Sequence, residues 1–81
     1  MEAKITRTII DNDGVEFKIG NDVGFELLRN DKDYKCVGVI TYIAEDVFVI
    51  KDVLIDKMPL AEKLTIKYGE VKDGILKRVG Y

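Results

Sequence analysis

Between Val15 and Ile19 the chain reads apolar, acidic, apolar, basic, apolar, with Val15, Phe17 and Ile19 alternating with Glu16 and Lys18. A period of two belongs to a strand with one buried face. Ahead of it KITRTII (4–10) is rich in β-branched residues, and DNDG (11–14) between the two runs is turn chemistry. The pattern predicts an N-terminal hairpin of residues 4–10 and 15–19. GND (20–22) turns the chain into VGFELLR, where Val23, Phe25 and Leu27 share a face. NDKD (30–33) predicts a polar loop tip, and YKCVGVITYI (34–43) a long strand in which Val37, Val39 and Ile43 oppose Tyr34, Cys36, Ile40 and Tyr42. Both faces are apolar, which predicts cover on both sides, as at a strand that bends across a barrel. Gly38 in its middle marks a bend or a close backbone approach. AED (44–46) leads into VFVIKDVLI, a further strand over 47–55.

DKMPL (56–60) predicts an irregular connection, because Pro59 lacks a ladder donor and holds Met58 extended. KLTIKY (63–68) follows with Leu64, Ile66 and Tyr68 on one face. The closing segment admits two readings. Val71, Ile75 and Val79 recur every four residues, as along a helix, but Gly69 and Gly74 lie inside that window and no Ser, Thr, Asp or Asn caps its start. A turn through GEVKDG followed by a strand over 75–80 satisfies the same residues without those costs. Strands at 22–29, 34–43, 47–55, 63–68 and 75–80 behind an N-terminal hairpin predict an all-β fold. At this length a small, strongly bent five-stranded barrel fits best.

The runs IGNDVGFEL, KCVGVITYIAEDVFVIKDV and LTIKYGEVKDGILKRV together resemble the small-barrel superfamily of Src-homology-3-like (SH3-like) and Sm-like domains, over about residues 18–80. In those folds a glycine-led turn opens the first barrel strand, as Gly20 would here. A glycine sits in the second strand, as Gly38 would, and a one-turn helix separates the last two strands, as 69–73 would. The middle run is similar to the first Sm motif, with Gly38 at its glycine position and Asp46 near its acidic one. The second motif, whose arginine–glycine pair is diagnostic of Sm proteins, would fall on Lys67 and Gly69 with Tyr68 between. The resemblance implies a single domain over 1–81, with residues 1–19 a hairpin and 20–81 the barrel. It implies a fold and not an activity.

Composition narrows the chemistry. Histidine and serine are absent and Cys36 is the only cysteine, so no histidine-activated nucleophile, disulfide framework or His/Cys metal site can be assembled. Cys36 itself reads as a small core residue in an apolar strand. Asp11-Asn12-Asp13-Gly14 has the look of a calcium loop, but that register needs an oxygen ligand where Ile9 stands and a glutamate where Gly20 stands. Asp31 with Asp33, and Glu45 with Asp46, are pairs of carboxylates in turn contexts, where exposed acids are the default. IGNDVG lacks the lysine and the following helix of a phosphate loop. The expectation is a protein that is not an enzyme, with no catalytic residue, cofactor or metal.

Binding remains. The net charge of −2 gives no bulk attraction to nucleic acid or to anionic lipid, but residues 62–81 carry five bases against three acids. Lys67, Lys72, Lys77 and Arg78 beside Tyr68 would make a basic edge on which bases could stack. Tyr34 and Tyr68 are the candidates for an exposed aromatic pair. KITRTII could pair with the edge of a neighbouring molecule. No apolar run is long enough for a signal peptide or a membrane span, which predicts a cytoplasmic chain without membrane contact. The expected role is a protein-interaction or assembly module that binds a protein partner or itself, of the kind bacterial and phage accessory proteins supply. The alternative is a weak, Sm-like nucleic-acid binder working through the C-terminal basic edge.

Overall fold

A computed structural model describes residues 1–3 and 7–79, Glu2 by its backbone alone. The fold is all-β, and every strand pairing is antiparallel. Strands β1 (Glu2–Ala3), β2 (Thr8–Ile10) and β3 (Glu16–Lys18) form a three-stranded sheet in that order. The second sheet has six strands: β4 (Asp22–Arg29), β5 (Lys32–Ile43), β6 (Val47–Ile55), β7 (Met58–Leu60), β8 (Leu64–Lys67) and β9 (Lys77–Arg78). Its order is β7-β6-β5-β4-β9, with β8 also paired to β6. Two single-turn 3-10 helices, η1 (Tyr68–Glu70) and η2 (Lys72–Gly74), separate β8 from β9.

The expected hairpin is present as Thr8–Ile10 and Glu16–Lys18, the strands at 22–29 and 47–55 are present, and the chain ends in turns and then a strand, which spans only Lys77–Arg78 of the expected 75–80. Residues 4–6 of the first expected strand and residues 80–81 at the end lie outside the described residues. Hairpin and larger sheet share one core: Ile9 and Phe17 are buried in the same cluster as Val23, Phe25, Ile40, Phe48, Ile50 and Ile66. Backbone bonds fix the junction. Gly20 donates to the Ile40 carbonyl at 2.8 Å, and the Ile40 amide donates to the Asn21 carbonyl at 3.0 Å.

Two expectations of strand layout are corrected first. The sheet is not closed into a five-stranded barrel. Strand β9 meets β4 over only Val23↔Arg78 and Gly24↔Lys77, and β8 reaches β4 through no ladder. A lone bridge, Leu27↔Val71, spans that gap. The physical reason is the pair of 3-10 turns, which diverts the chain from β8 before its outer edge can pair.

The other correction concerns residues 56–60, which are not an irregular connection. Asp56 and Lys57 sit at φ 50° and 70°, so they make a two-residue turn that sends Met58–Leu60 back along β6. In such a hairpin the pair flanking the turn, Ile55↔Met58, exchanges hydrogen bonds, and the next pair, Leu54↔Pro59, does not. The Pro59 nitrogen therefore faces outward from an edge strand, where its missing donor is harmless. Asn30 and Asp31, at φ 54° and 61°, form an equivalent turn, which shortens the predicted loop tip and lets β5 begin at Lys32.

Strand β5 is bent by two register shifts against β6, between Val37 and Val39 and between Ile40 and Tyr42. The second places Ile43 in the core and turns Tyr42 out, 49 % exposed, reversing the alternation expected of both. Cover on both faces is also not found: Cys36 and Ile40 face the core, while Val37 and Val39 are only half-buried. At the first shift Asp52 takes φ 52°, and Gly38 lies close against the bulged strand. A Cβ on Gly38 would stand 3.0 Å from two Ile50 side-chain carbons and from the Lys51 carbonyl oxygen. Gly38→Ala is therefore expected to destabilise the fold by about 1–3 kcal/mol through overpacking. Urea denaturation measures it, and an unchanged midpoint would contradict the close approach.

Candidate functional site

Cys36 lies 1 % exposed among core side chains, and burial pushes its thiol up to about 11, with Asp56 adding to the rise. It is a core residue held in the unreactive thiol form. Glu45 and Asp46 are exposed in the β5–β6 turn, and Asp33 faces Lys72 at 3.8 Å. Among the described residues no cluster of three or more Cys, Asp or Glu is placed to hold a metal ion. No described helix is long and apolar enough to cross a membrane.

The buried acid is one the sequence reading took only as turn chemistry. Asp11 is 4 % exposed, and its carboxylate accepts three backbone bonds: from Asp13 at 3.0 Å, Val15 at 2.9 Å and Leu76 at 3.3 Å. Asn12 adds two more links to the C-terminal segment. Its amide donates to the Gly74 carbonyl and its Nδ2 to the Asp73 carbonyl, both at 2.8 Å. The DNDG turn is thus a clasp that joins the two ends of the described chain. Gly74 is required at its closing point, since its φ is +63° and a Cβ there would stand 2.4 Å from Asn12 Nδ2.

The proposed basic edge does not form one continuous patch. Lys72 lies 3.2 Å from Glu26, so its charge is shared with that acid as well as with Asp33. Arg78 sits with its guanidinium 5.9 Å from the Phe17 ring centroid and donates to the Glu16 carbonyl at 3.4 Å. Lys77 is exposed on β9 opposite Gly24, and Lys67 lies on β8 opposite Val47, on the other side of the sheet path. Tyr34 and Tyr68 are not an exposed pair either, since both are half-buried against the core. The Tyr68 ring stacks on Phe48 at 5.7 Å between centroids, and its hydroxyl donates to the Ala44 carbonyl at 2.5 Å. Burial, helped by Asp46, pushes that hydroxyl up to about 12.

Two features went unseen in the sequence. One is a bidentate ion pair: Arg29 Nε donates to Glu70 Oε2 at 2.8 Å and its Nη2 to Oε1 at 3.0 Å. The same Nη2 reaches the Thr65 carbonyl at 3.1 Å, and Glu70 Oε1 accepts from the Lys67 amide at 3.0 Å. The other is an apolar surface. Register places Gly24, Val37, Leu54 and Pro59 in one row across β4, β5, β6 and β7 on the outer face of the sheet. Leu54 is 38 % exposed on that face, whereas Met58 and Leu60, paired with Ile55 and Val53, belong to the opposite face at the sheet edge.

No family model matches the chain, and no curated protein or solved structure matches it.

The charged pair has a signed consequence. Hydrogen bonding from Arg29 holds the Glu70 carboxyl below its ordinary value of 4.5 against a smaller opposing effect of burial. A lowered folded value means stability that is present above about 4.5 and is lost as pH falls through the folded value. Glu70→Gln is expected to cost about 1 kcal/mol at neutral pH, since the pair is partly exposed to solvent. That difference from the parent should vanish in strong acid, as urea titrations at neutral and acidic pH would register. A gap that persists in acid would exclude the ionic origin. For Cys36, alkylation by iodoacetamide in mildly alkaline buffer is expected only at the rate of unfolding, and prompt reaction of the folded protein would refute its burial.

Proposed function

We propose that this chain is a non-enzymatic protein-interaction or assembly module built on a small, SH3-like or Sm-like arrangement of bent strands. The fold resemblance is supported by the Gly20–Asn21 turn ahead of β4, by Gly38 at the bend of β5 and by the single-turn helices between β8 and β9. The reading of function rests on one observation: the apolar row Val37–Leu54–Pro59 reaches solvent on the outer face of the sheet. An apolar patch continuous across strands on so small a protein marks a contact surface more often than scattered single side chains do.

The mode of contact follows from Pro59. Its nitrogen occupies the outward position of β7, so a partner strand cannot complete a ladder there. The partner therefore meets side chains on the sheet face. Nucleic acid is the less favoured ligand, because Lys72 is neutralised by Glu26 and Asp33 and the remaining cations are spread around the sheet.

The test compares wild-type protein with Leu54→Glu, both purified from the same cells under mild conditions. Wild type is expected to carry additional protein mass, of its own kind or another, and the variant to run as a bare monomer with an unchanged melting temperature. Equal masses would overturn the reading. Oligonucleotide binding that disappears in Lys67→Glu/Arg78→Glu and weakens steeply with salt would replace it with the nucleic-acid alternative.

A further inference from the structure

We infer that the outer face of β4–β6 is a self-complementary surface on which a second copy of this chain docks, with Asp22 of each copy facing Lys51 of the other. This rests on the interaction-module reading and supplies its occupant. Register aligns Asp22 with Val39 and Val39 with Lys51, so one row across three strands carries an acid, a valine and a base. Strand spacing puts the two charges about 10 Å apart, one on each side of β5. A two-fold axis running along β5 through Val39 carries each acid onto the base of the other copy. Isologous contact requires that kind of self-complementarity.

Among the described residues neither charge is paired. The ion pairs of the described residues join Arg29 to Glu70 and Lys72 to Glu26 and Asp33, leaving the Asp22 and Lys51 side chains without a charged partner. Unused charges of opposite sign flanking a half-buried valine are what a charge-registered interface presents.

Shape agrees with charge in the next row. The same rotation sets Val37 against its own mate and Leu54 against Gly24. Gly24 has no side chain, and the site where its Cβ would stand is walled by the Val79 Cγ2 at 3.3 Å and the Val37 Cγ2 at 3.8 Å. The projecting leucine thus meets a dip between two valines. On the far side, Tyr42, Val49 and Thr65 form an uncharged row. The row of Glu26 and Lys35 is not complementary to itself. There the axis sets Lys35 against its own mate and Glu26 is bound to Lys72, so this row adds nothing to the contact.

The experiment uses the full chain, purified alone, in sedimentation velocity over a concentration series at physiological salt. Wild type should show a concentration-dependent dimer. Lys51→Asp and Asp22→Lys should each weaken it at least about tenfold, because every dimer of either variant sets like charges together. Mixed in equal amounts, the two variants should dimerise again, since each then offers the charge the other lacks. Circular dichroism melting of each variant confirms that it is folded before mixing.

A wild type that stays monomeric, a single reversal without effect, or a mixture that stays monomeric would each overturn the inference. A monomeric wild type would leave the module reading standing wherever heterologous mass is lost in Leu54→Glu. Equal masses in that comparison would instead remove the module reading itself.

Discussion

The bidentate bond between Arg29 and Glu70 stands where a strand pairing would close the sheet. Strand β8 is bonded to β6 on one edge and leaves its other edge without a ladder. On that edge the Thr65 carbonyl is met by Arg29 and the Lys67 amide by Glu70, so two side chains satisfy backbone groups that a neighbouring strand would otherwise take. The guanidinium suits the task because its donors form a planar fork that can grip a carboxylate and still reach a carbonyl. Once Glu70 is fixed, η1 is fixed, and Tyr68 is delivered onto Phe48 with its hydroxyl on Ala44. One ion pair at the rim thereby orders a stacked aromatic pair inside it.

The opposite side of the sheet is secured by other means. Strand β9 has only two residue pairs with β4, too few to hold itself, and is anchored at its start by Asp11 and Asn12 from the hairpin turn. A buried carboxylate is costly to strip of water, and three backbone donors offset that cost. The hairpin contributes Ile9 and Phe17 to the core and receives the Arg78 guanidinium over Phe17. Fold and ends are therefore interdependent: the hairpin holds the last strand, and the last strand covers the hairpin's aromatic ring.

What the sequence disclosed follows the range of the interactions involved. Alternation at Val23, Phe25 and Leu27 located β4, because a half-buried strand writes its face locally. Gly38 announced the close approach of Ile50 for the same reason. The Tyr42–Ile43 exchange was not legible, since a bulge is invisible to a rule that counts by two. Strand β7 was missed because Pro59 was weighed as a ladder breaker without knowing which way its nitrogen would face. Arg29 and Glu70 lie 41 residues apart and carry no shared signal. The basic edge was read on the converse assumption, that closeness in sequence is closeness in space. Lys67 and Arg78 end up on opposite sides of the sheet path, and Lys72 between them is claimed by acids from β4 and β5. The rows that make up the outer surface draw each residue from a different strand, so register alone reveals them.

An exposed apolar face on a sheet has a simpler origin than contact, which is strand propensity. Valine at 37, 39 and 49 favours extended backbone whether or not anything lies on it. That explanation does not extend to the residues that carry the surface. Leucine gains little from the strand conformation, so the exposed Leu54 on that face is not accounted for by propensity. Strand β7 sharpens the point, because its proline already closes the edge to unwanted pairing. The same hairpin thus shields its edge with Pro59 while Leu54, its cross-strand partner, stays 38 % exposed on the outer face. Protection of the edge and exposure of the face are therefore separate properties of one hairpin, set by which way the Pro59 nitrogen and the Leu54 side chain point.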